Sequence, residues 1–297
     1  MMRAVLIAAM LCATPAIAQT PPVASAPATE APERTILFIG NSITFGAHSA
    51  VRNYRASTVT DLNGLGYGGV PALFKLFSQQ AGLNYRVSHE VRGGATLGFH
   101  LAERRDKWER PWDVVVLQDL STYTREAPGD PASHIRDVGA IAALLTRANP
   151  KVHVEVMATW TRADLVYRPG SRWSGTPVAQ MADDLRKGTD AARRASPDVD
   201  GVIPVGQAWN RAFATGVADP NPYDGIAYGQ IDLWAYDHFH GSVAGYYLEA
   251  LVVFGKITGR DPRMLGDAEK GADELGLSRA QVRALQQVAW DTLQAER

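Results

Sequence analysis

The sequence predicts an α/β fold, a flavodoxin-like three-layer α/β/α sandwich around a central parallel sheet of about five strands. Short β-branched and apolar runs alternate with segments of helical periodicity from 35 to 205. One run, 113–117, holds three consecutive valines, as expected of a strand covered by helices on both faces. At 297 residues and 46 % hydrophobic, the chain can bury a substantial core.

The chain opens with a basic Met1-Met2-Arg3, an apolar stretch over 4–13 and an Ala16-Ile17-Ala18 cleavage site. This predicts a signal peptide at 1–18 and a periplasmic or secreted mature chain beginning at Gln19. The apolar stretch is far shorter than the ~20 residues that span a bilayer, so no stable membrane insertion is expected after cleavage. Cys12, the single cysteine, lies in this segment. Leu11 before it does not suit a lipoprotein cleavage site, so the mature chain has no thiol, disulfide or cysteine-based metal site. Residues 19–33, rich in Pro, Ala and Thr, read as a disordered linker. The remaining 34–297 form one domain with a C-terminal helix. A formal net charge of −1 without a basic patch argues against nucleic acid as a partner.

The elements follow in order. Residues 35–39 form the first strand. A helix at 70–80 admits Pro71 in its first turn. Residues 85–91 are the second strand, 97–105 a short helix and 113–117 the third strand. A helix at 135–148 is stopped by Asn149-Pro150. Residues 152–157 and 201–205 are the fourth and fifth strands, separated by a helix at 178–195. Another helix spans 242–258. Ser278-Arg279-Ala280-Gln281 forms a capping-box pattern opening the last helix, whose stripe of Val282, Leu285, Val288, Ala289 and Leu293 predicts packing on the domain.

Two segments carry chemistry. Phe38-Ile39-Gly40-Asn41-Ser42-Ile43-Thr44 places Ser42 just past the first strand, where its hydroxyl can face solvent and nearby amides can meet a developing oxyanion. Asp237-His238-Phe239-His240 supplies an acid and a base. Together they make Ser42, His240 and Asp237 a candidate nucleophile, general base and orienting acid. His238 is the second choice for the base, and His48 and His100 are candidates to line the pocket. Each segment alone also has a bland reading: Gly-Asn-Ser as a plain turn, His240 as a residue packed beneath a helix. Their order along one chain favours catalysis.

These residues resemble the SGNH (GDSL-like) hydrolase superfamily over 34–259, in a branch with Gly-Asn-Ser in the first block. Asp237-x-x-His240 matches the last block. Gly93-Gly94-Ala95-Thr96-Leu97 is similar to the second, in which a glycine amide joins the oxyanion hole. Val116-Leu117-Gln118-Asp119 stands where the family has Gly-x-Asn-Asp, with Gln118 in place of the asparagine. The resemblance implies an oxyanion hole of the Ser42 and Gly94 amides with the Gln118 side chain, and no metal or cofactor. Asp119 is expected to turn away and bond to backbone or to the following loop.

The implied activity is hydrolysis of an ester through an acyl-enzyme. The expected substrate is an O-acetyl or other short acyl group on a carbohydrate, as a small molecule or a glycan. Trp160, Arg162, Tyr167, Trp173 and Trp209 fall in predicted loops and suit either a sugar-stacking rim or core packing. Residues 161–176 read as a loop insertion able to cover the site. Lipid-ester or thioester hydrolysis, O-acyl transfer, and glycan binding without hydrolysis stand as alternatives on the same scaffold.

Overall fold

A computed structural model describes residues 1, 2, 4 and 32–297. The predicted signal peptide and linker thus fall almost wholly outside the described residues. No helix among the described residues is long and apolar enough to cross a membrane.

Among the described residues six strands form one parallel sheet: β1 (Arg34–Gly40), β2 (Thr60–Asp61), β3 (Tyr85–Val91), β4 (Val114–Leu117), β5 (His153–Met157) and β6 (Gly201–Ile203), in the order β2-β3-β1-β4-β5-β6. Strand side chains alternate between faces, so each apolar run supplies two cores. Ile36, Phe38, Val87, Val114 and Val116 pack in one layer with helices α1 (Gly69–Gln80), α7 (Val205–Ala214), α8 (Val243–Thr258) and α10 (Arg279–Ala295). Leu37, Ile39, Val115, Leu117, Val154 and Val156 face the other layer, with α2 (Leu97–Glu103), α3 (Arg105–Trp108), α4 (Ala132–Ala148) and α6 (Ala179–Ala195). Each fully buried side chain of this size stabilises the fold by roughly 1.5–3 kcal/mol. Two further short helices among the described residues are α5 (Ala163–Tyr167) and α9 (Lys270–Glu274).

The sheet has six strands rather than about five. The additional β2 is a two-residue edge strand with no alternation to betray it. Its Asp61 carboxylate accepts hydrogen bonds from the amides of Asn63, Gly64, Leu65 and Gly66, so side-chain capping shapes that turn. The predicted fifth strand also stops early. Pro204 separates β6 from α7, which begins at Val205, so Trp209 lies on a helix rather than in a loop. Residues 161–176 contain α5, and Trp173 packs there with Val166, Met181 and Leu185. α10 carries the expected capping box at Ser278, and its apolar stripe joins the first core layer.

Register positions the site. Gly40 pairs with Val91 and Ile39 with Leu117, so the chain leaves β1, β3 and β4 at one edge of the sheet. The Arg92 amide continues the ladder to the Gly40 carbonyl, and the Gln118 amide to that of Ile39. Residues 41–42, 92–94 and 118–119 therefore meet in space at the strands' C-terminal ends, where sites of open parallel sheets gather.

Candidate active site

The Ser42 turn is built by its neighbours. A Cβ on Gly40 would sit 2.1 Å from Thr44 Oγ1 and 2.7 Å from Gln118 Oε1, so only glycine lets the chain pass there. Asn41 is buried and ties three loops together. Its Oδ1 accepts from the Ile43 amide at 3.2 Å, while Nδ2 donates to the carbonyls of Ala95 at 3.0 Å and Asp119 at 3.2 Å. From α8, the Tyr246 hydroxyl points its one proton between the carbonyls of Ala47 at 3.1 Å and Ser42 at 3.4 Å.

The second segment is held as tightly. Ala235 donates to the His240 carbonyl at 2.7 Å, and Ser242 caps α8 by accepting from the Gly245 amide at 3.2 Å. Asp237 Oδ1 accepts the amides of Phe239 and His240, leaving Oδ2 for His240 Nδ1 at 2.6 Å. His240 Nε2 lies 2.9 Å from Ser42 Oγ. The network assigns the imidazole tautomer: Nδ1–H donates to the carboxylate, so Nε2 offers its lone pair to the serine hydroxyl. Burial pushes the Asp237 carboxyl up, but the hydrogen bonds from the His240 ring and the two amides outweigh it and hold it well below the usual carboxylate range.

The other histidines separate. His238 has a left-handed φ of 58°, and its ring packs on Tyr223 with centroids 4.2 Å apart. His48 borders the site: its ring centre is 4.6 Å from that of His240, and its Nδ1 pairs with the Tyr236 hydroxyl at 2.6 Å. His100 is fully buried against Glu90. His48, Asp237 and His240 bring ligand-type atoms within 4.8 Å of one another. Asp237 Oδ2 and both His240 ring nitrogens are already engaged, so a cation there would displace those hydrogen bonds.

Ser42 and Gly94 each leave an amide free; among the described residues neither donates a hydrogen bond to protein. Gly94 takes a φ of 68°, and a Cβ there would meet the Arg125 guanidinium at 2.6 Å. Gln118 departs from the implied arrangement. Its Oε1 accepts from the Asn41 amide at 2.9 Å and from Thr44 Oγ1 at 2.8 Å, and its Nε2 donates to the Asp119 carbonyl. Only 1 % exposed, it is a strut beneath the serine turn, committed to backbone on both ends of its amide. Asp119 does turn away from the serine. One oxygen accepts the amides of Leu97 and Leu120, and the other meets His134 Nδ1 at 2.8 Å.

The tryptophans are core. Trp160, Trp173 and Trp209 are 1 % exposed or less, and Trp160 stacks on Trp209 at 4.5 Å. The exposed rings are instead Tyr167, Tyr223, Tyr228 and Tyr236. Tyr236 directly precedes Asp237, and Tyr223 meets His238 edge to face, so both lie beside the histidine loop. Of the predicted rim, Arg162 also remains there, its guanidinium 3.7 Å above the Phe239 ring. The residues that sequence reasoning missed are Asn41, Tyr246, Tyr223 and Tyr236. Only Asn41 carried a signal, as the middle residue of the Gly-Asn-Ser turn.

No protein-family model matches the chain, and no curated protein matches it. Solved structures do. A DUF4886 family protein from Bacteroides uniformis superposes with a TM-score of 0.59 at 15 % identity, covering 89 % of this chain and 96 % of its own. A candidate GDSL-like lipase from Parabacteroides merdae gives 0.53 at 20 % identity, covering 76 % and 95 %. An acetylxylan esterase from Geobacillus stearothermophilus, solved as a catalytic mutant, gives 0.51 at 17 % identity, covering 77 % and 95 %. At these identities the likeness is one of fold: the chain shares the parallel α/β architecture of GDSL-like hydrolase structures.

Proposed function

We propose that this chain is a serine hydrolase of carboxylic esters, cleaving an O-acetyl or similarly short acyl group from a carbohydrate. The observation that carries the reading is the continuous chain Ser42 Oγ, His240 Nε2, His240 Nδ1, Asp237 Oδ2, with links of 2.9 and 2.6 Å, beside two free amides.

In this mechanism Ser42 Oγ attacks the ester carbonyl as its proton passes to His240 Nε2. Asp237 holds the ring in its tautomer and stabilises the imidazolium; kept ionised, it takes no proton itself. The amides of Ser42 and Gly94 bind the oxyanion, and one such donor typically supplies ~2.7–4 kcal/mol of transition-state stabilisation. His240 then protonates the leaving alcohol. Water, deprotonated by the same nitrogen, attacks the acyl carbon, and His240 returns that proton to Ser42 Oγ as the C–Oγ bond breaks and the acid departs. No step calls on a metal or cofactor.

The exposed tyrosines beside the histidine loop support a sugar-bearing substrate, since flat aromatic rings stack on sugar faces while their hydroxyls bond the edges. The fold shared with an acetylxylan esterase points the same way. The leader-like residues 1–18 support action outside the cytoplasm.

A fluorophosphonate probe and 4-nitrophenyl acetate test the reading together. Wild-type protein is expected to be labelled at Ser42 and to turn over the ester, and Ser42→Ala to lose both. Labelling at another residue, or full turnover by Ser42→Ala, would overturn it.

A further inference from the structure

Gly94, the candidate oxyanion amide, also lines a cleft of about 410 Å³ shared with Arg92, Thr96, Phe99, Arg125 and Glu126. We propose that this cleft binds an anionic group on the ester substrate, a carboxylate above all, so that the enzyme prefers short-acyl esters of acidic sugars. The inference rests on the hydrolase reading above.

Three observations carry it. First, both arginines stand next to the chemistry by backbone constraint. Arg92 is the first residue after β3, and its amide bonds to the Gly40 carbonyl, two residues before Ser42. Arg125 Nη2 donates to the carbonyl of Gly94 itself at 2.9 Å. An anion held between them would lie beside Gly94.

Second, neither guanidinium is paired with a carboxylate. Arg162 and Arg186, by contrast, are locked to Asp164 and Glu296 at 2.6 Å. Arg92 makes no side-chain hydrogen bond or ion pair among the described residues, and Arg125 spends a single N–H on Gly94. The acid in the lining, Glu126, accepts from Thr124 Oγ1 at 2.5 Å and feels the charge of the neighbouring Arg125, but forms no ion pair with either guanidinium. Two arginines against one glutamate leave the cleft with a net positive charge, in a chain whose overall charge is −1.

Third, the loop under Arg125 is anchored. Tyr123 adopts a left-handed φ of 63°, costly for a side chain of its size. Its hydroxyl bonds to the Leu185 carbonyl and pairs with Thr189 at 3.0 Å, and its ring stacks on His134 at 4.3 Å. His134 in turn holds Asp119. A planar guanidinium on a fixed base is suited to bidentate carboxylate recognition, and Phe99 offers the same ligand an apolar wall.

The test uses matched esters that differ in one charge. 4-Acetoxybenzoate against methyl 4-acetoxybenzoate places the charge on the alcohol side. Mono-4-nitrophenyl succinate against 4-nitrophenyl butyrate places it on the acyl side. The readout is the ratio of kcat/KM, anionic over neutral, which cancels general damage to the site. We expect the ratio for at least one pair to fall about tenfold in Arg92→Gln or Arg125→Gln and further in the double variant. Arg92→Lys should restore part of it, and the wild-type preference should shrink with added salt as the charges are screened. Ratios unchanged by both substitutions in both pairs would overturn the inference while leaving the hydrolase reading intact. Absence of turnover on all four esters, with Ser42 unlabelled by fluorophosphonate, would overturn the hydrolase reading and this inference with it.

Discussion

Ser42 Oγ and His240 Nε2 lie 2.9 Å apart although 198 positions separate them in the chain. The distance is set from both ends. The serine turn is clamped by Asn41 and Gln118 from below, and the histidine loop by Asp237 and the start of α8. Neither clamp belongs to the reacting pair, so the positions of the two side chains are decided before any substrate arrives.

Replacing members of this relay should therefore be far more damaging than replacing their neighbours. His240→Ala and Asp237→Asn are expected to lower kcat on 4-nitrophenyl acetate by on the order of 10⁴, because such groups act as a unit. His238→Ala, whose ring rests on Tyr223 outside the relay, should cost about tenfold at most. Steady-state kinetics on the three purified variants decide the matter, and a larger loss in His238→Ala than in His240→Ala would reassign the base.

Gln118 is expected to behave as a structural residue. Gln118→Ala strips the Asn41 amide and the Thr44 hydroxyl of their acceptor inside the protein. Leaving such buried groups unsatisfied should lower unfolding free energy by ~1–3 kcal/mol. Gln118→Glu should also destabilise, since a carboxylate oxygen would face the Asp119 carbonyl that Nε2 now meets. Urea melts measure both. Unchanged stability with a selective fall in kcat would return Gln118 to the oxyanion hole.

Glu249 gives a pH signature. It is fully buried on α8 beside Tyr246, its Oε2 has no hydrogen-bond partner, and burial pushes its carboxyl well above 4.5. The folded state then keeps a proton that the unfolded chain releases above pH 4.5. Its contribution to stability is complete below that value and is lost as pH rises, by up to about 1.4 kcal/mol per pH unit until the buried group itself ionises. Glu249→Gln should remove this slope, becoming more stable than wild type near pH 8 relative to pH 5. Parallel melting-temperature profiles for the two proteins would contradict it.

Tyr223 and Tyr236 should matter most for extended substrates. Tyr223→Ala and Tyr236→Ala are expected to raise KM for an acetylated oligosaccharide about three- to tenfold, in line with an aromatic contact of ~0.5–1.5 kcal/mol. KM for 4-nitrophenyl acetate should move less. Equal shifts on both substrates would mean that the rings support the histidine loop rather than bind sugar.

Much of this architecture was legible before any coordinates. The apolar runs at 36–39 and 114–117 announce strands buried on both faces because a parallel strand needs apolar residues at every position, not every second one. β2 was illegible because its pairing with β3 spans two residues and its turn is held by one carboxylate, a contact with no periodic trace. The tryptophans misled for a related reason. A residue after a strand can lie in a loop or begin a helix, and the Pro204 break that starts α7 turned Trp209 inward onto Trp160.

Sequence alone therefore determined the layers, the strand edge on which Ser42, Gly94 and Gln118 emerge, and the spacing that lets Asp237 reach His240, because each follows from local periodicity or from contacts within a few residues. That His240 Nε2 meets Ser42 Oγ at 2.9 Å was decided by the tertiary structure, which turns the loop at a left-handed His238 and sets that ring on Tyr223 instead. The tertiary structure likewise decided that both ends of the Gln118 amide bond beneath the serine turn, and that Arg92 and Arg125 share one cleft. These outcomes depend on the register of strands distant in sequence, and register is fixed by packing both faces of the sheet at once, which no local pattern encodes.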